Sequence, residues 1–200
     1  VVSLAGLLVA GIGGLLLSSA VYTIPERTAP PGYTVLDGLS GQQKLAEILL
    51  REQGLSRVKS PIVITQRELN GFLAHHLEKS DRIPLNPLIV QLTPGILEIQ
   101  GRTSLGRLFA GLPFSLLADY LPPSYVAQPV WVTVRGPIKH DRSRGSLEVL
   151  DFSLGTQSIS PGLLSWMLGR KGQRLFNWRM PRSVERIVIE DGRVVVTTRQ

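Results

Sequence analysis

The chain has 200 residues, 43% hydrophobic and 18% charged, which is globular usage and argues against disorder. With no cysteine it can have no disulfide, thiolate zinc site, thiol nucleophile or lipidated-cysteine anchor. Its net charge of +7 lies entirely beyond residue 25, so the basic part suits anionic lipid headgroups or acidic protein surfaces.

Val1 to Tyr22 (VVSLAGLLVAGIGGLLLSSAVY) contains no ionisable side chain. As a helix it spans about 33 Å, enough for a hydrocarbon core of roughly 30 Å. Tyr22 falls where an interfacial aromatic belongs, and Pro25 ends the run. Ser18 and Ala20 offer a small-x-small cleavage site, but the apolar run exceeds the ~7–15 residues of a signal-peptide core. A retained transmembrane helix is therefore expected over residues 1–24. Gly6, Ala10, Gly14 and Ser18 recur every four residues and share one face, so other transmembrane helices are the expected partners there. Beyond the helix Glu26 and Arg27 cancel, and no charge follows until Asp37. That flank places the domain on the extracytoplasmic, periplasmic side of a bacterial inner membrane.

Residues 25–39, with Pro25, Pro30, Pro31 and Gly32, read as a linker, and residues 40–200 as the extracytoplasmic domain. A short amphipathic helix is expected over Ser40–Gly54, with Leu45, Ile48 and Leu49 inward. A strand follows over Val58–Ile64. Thr65 and Glu68 form a capping box that opens a second helix, with Leu69, Phe72, Leu73 and Leu77 on one stripe. Leu88–Leu92 and Ile96–Thr103 make a hairpin across Thr93-Pro94-Gly95.

The stretch Leu105–Tyr125 carries Leu108, Phe109, Leu112, Phe114, Leu116, Leu117 and Tyr120 with only two charges. Pro and Gly break it too often for a spanning helix. It is either ordinary core or an interfacial, lipid-facing segment or groove wall. Pro129–Gly136 and Gly145–Leu154 read as a second hairpin joined by the charged loop Pro137–Arg144. Pro161 sits at a permitted first-turn position of a helix through Leu163, Leu164, Trp166, Met167 and Leu168. Val184–Ile189 and Arg193–Thr198 close the chain as a hairpin across Asp191-Gly192. Early helices and later strands indicate an α+β fold, an antiparallel curved sheet packed with two or three helices behind the transmembrane helix.

The segments IVITQRELNGFL (Ile62–Leu73), LTPGILEIQGR, PVWVTVRGPI, GSLEVLDFSLG and MPRSVERIVIEDGRVVV, taken in order, resemble bacterial membrane-anchored domains of the YpmS and LmeA type. The resemblance implies a curved sheet over a long helix, an apolar groove and, in some members, phospholipid binding.

Catalysis needs convergent titratable groups, and the chain has only three histidines. His75 and His76 are helical neighbours about 100° apart, which cannot jointly grip one ion as an i, i+4 pair could. No HExxH, nucleophile elbow, P-loop or GxGxxG motif occurs, so no enzyme activity, metal or cofactor is expected. Basic residues gather in two places: Arg135, Lys139, Arg142 and Arg144, then Arg170, Lys171, Arg174, Arg179 and Arg182. An anionic lipid or acidic protein surface is the expected partner of both, rather than nucleic acid. Two readings follow. The first is a single-pass accessory or assembly subunit of a larger membrane complex. The alternative is a membrane-anchored domain that binds or handles phospholipid.

Overall fold

The computed structural model describes Val21 and residues 32–77, 85–109, 122–141, 144–160, 162–164 and 176–199. The fold is α+β, and every strand pairing among the described residues is antiparallel. No helix among the described residues is long and apolar enough to cross a membrane. The expected transmembrane helix, with Gly6, Ala10, Gly14 and Ser18, lies outside the described residues apart from Val21. That residue is helical and fully buried.

Helix α1 runs Val35–Glu52, five residues earlier than the expected start at Ser40. The end of the expected linker is therefore helix. The start is set by Thr34: its Oγ1 accepts the Asp37 N–H at 3.2 Å, and the Asp37 carboxylate accepts the Thr34 N–H at 2.7 Å. This is a capping box with Asp in place of the usual Glu or Gln. Strand β1 (Ile62–Thr65) leads directly into α2 (Gln66–Leu77) through the predicted box, in which Thr65 Oγ1 accepts Glu68 N–H and Glu68 Oε2 accepts Thr65 N–H.

The two helices cross with their backbones in contact. A Cβ added at Gly38 would lie 2.9 Å from the Gly71 carbonyl oxygen, and one at Gly71 would lie 2.7 Å from the Gly38 nitrogen. At Gly41 it would meet the Glu68 carbonyl at 2.6 Å. Gly38, which punctuates the sequence like a linker residue, is thus a buried contact within the helix.

The remaining elements are β2 (Leu88–Thr93), β3 (Ile96–Ser104), α3 (Leu105–Phe109), α4 (Pro123–Ala127), β4 (Pro129–Gly136), β5 (Ile138–Asp141), β6 (Arg144–Leu147), β7 (Asp151–Leu154), β8 (Gln157–Ile159), β9 (Asn177–Arg179), β10 (Val184–Glu190) and β11 (Arg193–Thr198). Instead of the one curved sheet expected, pairing divides among three, in the orders β1-β11-β10, β2-β3-β4-β7-β8 and β5-β6-β9. The first and last predicted hairpins form as read, with Gly95 and Gly192 at positive φ in their turns. The middle one does not. β4 pairs with β7, while the supposed charged loop is itself a hairpin, β5 with β6. Between them Glu148 donates to Pro137 O at 3.0 Å and Leu150 to Arg135 O at 2.9 Å, so the ribbon continues through a bend that a side chain at Gly136 would obstruct.

Strand β2 is an edge strand, and α2 covers it. Asn70, 1% exposed, receives the Val90 N–H and donates back to the Val90 carbonyl, both at 2.7 Å, as a neighbouring strand would. Gln66 Oε1 accepts the Leu92 N–H at 2.7 Å. The two outer hairpins also meet at their turns, Gly95 N–H donating to Ile189 O and Gly192 N–H to Leu92 O. An exposed row of strand donors and acceptors is thereby satisfied. The largest core cluster joins Leu105, Val130, Val132, Phe152, Leu154, Ile159 and Val21, and a second joins Ile48, Ile62, Ile64, Met180, Val184 and Val196.

Gly71→Ala tests the helix crossing. Alanine gains up to ~1 kcal/mol over glycine inside a helix, but forcing a methyl group into a packed contact costs about 1–3 kcal/mol. The obstructing atoms are backbone, so the clash wins and chemical denaturation should show net destabilisation. Gly32→Ala, where a Cβ meets nothing within 4 Å, should be close to neutral.

Candidate functional site

Helix α1 turns small and polar groups towards α2 and leaves most of its apolar side chains outside, while Leu45 and Ile48 pack on the core as expected. Its contact side presents Gly38, Gly41, Ser40 and Lys44 to α2, with Ile48 reaching the core. The opposite side carries Val35, Leu36, Leu39, Ala46, Leu49 and Leu50, with Gln42 and Gln43 at its middle, all exposed. Val35 is 72% and Leu36 76% exposed. The spacing of 0, 1, 4, 7, 8, 11, 14 and 15 residues is one helical face, and it contains no charge. Leu49, expected inside, is 56% exposed and belongs to this face. The cause is the glycine contact, which rotates the helix so that its narrow side faces α2.

The polar centre of the crossing is Glu68, 8% exposed. Its carboxylate receives the Lys44 ammonium at 2.7 Å, the Ser40 hydroxyl and the Thr65 N–H. Burial pushes this carboxyl up, but the bonds to Lys44, Ser40 and Thr65 outweigh it and hold it at about 2.

Beyond the end of α1 lies a cavity of about 200 Å³ lined by Arg51, Arg57, Lys59 and Arg199, with Gly54, Ser56, Val58 and Thr198. No acidic residue lines it. Arg51, its side chain 5% exposed, is held by Glu47 at 2.9 Å, Ser60 O at 2.8 Å and Thr198 Oγ1 at 3.0 Å. Glu47 is committed to this cluster, held below the usual carboxylate range first by the Ser56 hydroxyl and then by Arg51. Leu55 and Val58, beyond the helix, are also exposed, and Val58 lines the cavity among the cations.

The predicted basic residues are partly brought together. Arg144 and Arg179, far apart in sequence, are direct cross-strand partners, with Asp141 opposite Arg144 on its other side. Among the described residues neither arginine has an acidic partner within 4 Å, whereas Lys139 pairs with Glu148 at 3.3 Å and Arg135 with Glu98 at 4.0 Å. Arg182 is exposed in the turn before β10. Arg142, Arg170, Lys171 and Arg174 lie outside the described residues.

Of the apolar stretch, Leu105 is fully buried and Leu108 packs against the same core cluster, so its beginning is core. Phe109 closes α3; its side chain and Leu112, Phe114, Leu116, Leu117 and Tyr120 lie outside the described residues. An apolar crevice lined by Tyr33, Leu73 and Leu88 measures about 20 Å³, room for about one water and too small for an acyl chain. His75 and His76 meet edge-on at 5.2 Å, and His76 Nε2 lies 3.3 Å from Gln42 Oε1. Among the described residues no group of His, Asp and Glu could hold a metal ion.

Sequence reasoning missed Arg57 and Lys59, close in sequence, and Arg199, which only the pairing of β1 with β11 brings to them. The outer face of α1 was findable, because Leu36, Leu39, Leu49 and Leu50 share a helical phase free of charge. No protein-family model, no curated protein and no solved structure matches the chain.

The Glu68 bonds generate a pH prediction. The folded carboxyl is lowered from 4.5 to about 2, so its stabilisation is complete above pH 4.5 and lost as pH falls towards 2. Its ceiling, at ~1.36 kcal/mol per unit, is about 3 kcal/mol. The stability gap between the natural protein and Glu68→Gln, measured by urea titration, should therefore be widest near neutral pH and close across that window.

Proposed function

We propose that the chain is a membrane-anchored, non-enzymatic domain that binds the bilayer surface, with α1 lying in the interface on its uncharged outer face. The observation that carries this reading is that face. Full burial of a leucine-sized side chain contributes roughly 1.5–3 kcal/mol, so five large apolar side chains left in water forgo several kcal/mol. An interfacial helix recovers it by sinking its apolar side about 5–10 Å into the headgroup boundary.

Two further features support a bilayer as the occupant. The apolar run of residues 1–20 reads as a membrane span, and the next residue, Val21, is buried in the domain core, so the domain begins where the span ends. The helix is thus tethered close to the surface. Arg57, Lys59 and Arg199 stand at its C-terminal end, where they meet anionic headgroups. The same face would also serve the assembly-subunit reading, with a protein in place of lipid.

The absence of cysteine makes the test direct. Leu36→Cys, Leu39→Cys and Leu50→Cys of the full chain are each labelled with a polarity-sensitive fluorophore and mixed with anionic vesicles carrying a lipid-borne quencher. Blue-shifted emission that is quenched at all three positions is expected, with a Glu185→Cys probe as the reference. Emission that stays solvent-like overturns the reading. A blue shift in cells or extracts that no lipid quencher reaches assigns the face to a protein partner. Leu36→Glu with Leu50→Glu should abolish the lipid signal while changing stability by less than about 0.5 kcal/mol per site, as surface positions do.

A further inference from the structure

The cavity beyond α1 has a constitution that membrane attachment alone does not require. We infer that it is an anion site that takes a phosphate group, carried either by a lipid headgroup or by a soluble phosphate. This deepens the membrane reading only in the choice of source.

Three cations, Arg57, Lys59 and Arg199, converge on a space with no lining carboxylate. Among the described residues none of the three has an acidic partner within 4 Å. The nearby Glu47 is spent on Arg51 and Ser56, so it does not neutralise them. The wall is built rather than incidental. Arg51 is clamped through Nε and Nη1 by Glu47, Ser60 O and Thr198 Oγ1, which leaves Nη2 outside this set of bonds. Thr198 Oγ1 accepts from Arg51, so its own O–H remains to donate. Arginine forks and a hydroxyl match the tetrahedral oxygens of phosphate, whose charge two or three cations balance. At about 200 Å³ the space is far larger than a single water and smaller than the ~300–1,000 Å³ of drug-sized pockets. A phosphate group has room in it.

The experiment uses the full chain in maltoside micelles. Inorganic phosphate is titrated at constant ionic strength with chloride as the balancing salt, and affinity is read by calorimetry and by the melting temperature. A second arm measures binding to phosphatidylcholine vesicles with and without phosphatidic acid. Saturable binding in at least one arm is expected. Arg57→Gln, Lys59→Gln and Arg199→Gln together should weaken it at least tenfold with an unchanged circular-dichroism melt, and Lys59→Gln alone should weaken it several-fold if the triple variant melts early. Binding of inorganic phosphate identifies a soluble source; binding confined to phosphatidic-acid vesicles identifies the headgroup. No binding by the natural chain in either arm, equal binding by the variants, or a response to chloride equal to that for phosphate overturns the site. Leu36→Glu with Leu50→Glu leaves the cavity intact and should retain phosphate binding in micelles, so the cavity and the helix face fail or hold separately.

Discussion

The contact between Gly38 and Gly71 is the constraint from which the surface of this protein follows. Two helices whose backbones touch can accept only hydrogen atoms between them, so the inward side of α1 must be small. Ser40 and Lys44 then have one place to go, the Glu68 carboxylate, which is already fixed by its cap on Thr65. With glycine and polar side chains turned inward, Leu36, Leu39, Leu49 and Leu50 have only solvent or a partner to face, while Leu45 packs beside Ile48 on the core. A burial arrangement that usually runs the other way round is enforced by three missing side chains.

The same α2 that receives α1 also closes the sheet. Its Gln66 and Asn70 act as a short artificial strand along β2, and its N-terminal cap continues from β1. One twelve-residue helix therefore contacts α1, an edge strand and the strand that precedes it. Any shift of α2 would move the outer face of α1 relative to the sheets, which couples the proposed docking surface to the core rather than leaving it on a loose arm.

What could be read from the sequence was local. The Pro-Gly and Asp-Gly turns place both outer hairpins because each turn needs a positive φ that glycine supplies within the hairpin itself. The Thr65–Glu68 box was legible for the same reason. Gly38 misled, because a glycine that spaces a linker and a glycine that admits another helix look identical until Gly71, on the other helix, is placed opposite. The Lys139 and Arg144 segment misled because charged strands carry no apolar alternation, and only the pairing of Ile138 with Leu147 shows their register. Arg199 and Arg57 join one cavity because β1 pairs with β11, a relation that no local pattern contains.

That pairing also sets the order in which the molecule can be made. Ile62 of β1 lies against Val196 of β11, 134 positions later by subtraction, and the cluster around Ile48, Ile62 and Ile64 is completed by Val184 and Val196 from the last hairpin. At roughly 5–20 residues per second of synthesis, the interval between the two strands is on the order of ten seconds. Throughout it Ile48 can pack on Ile62, Ile64 and Leu69 but not yet on Val184 and Val196, and the outer leucines stay exposed among the described residues even in the finished fold. The nascent protein therefore passes through a stage in which a bilayer or a chaperone can compete for Ile48, and the arrival of β11 ends that competition on one side of the helix only.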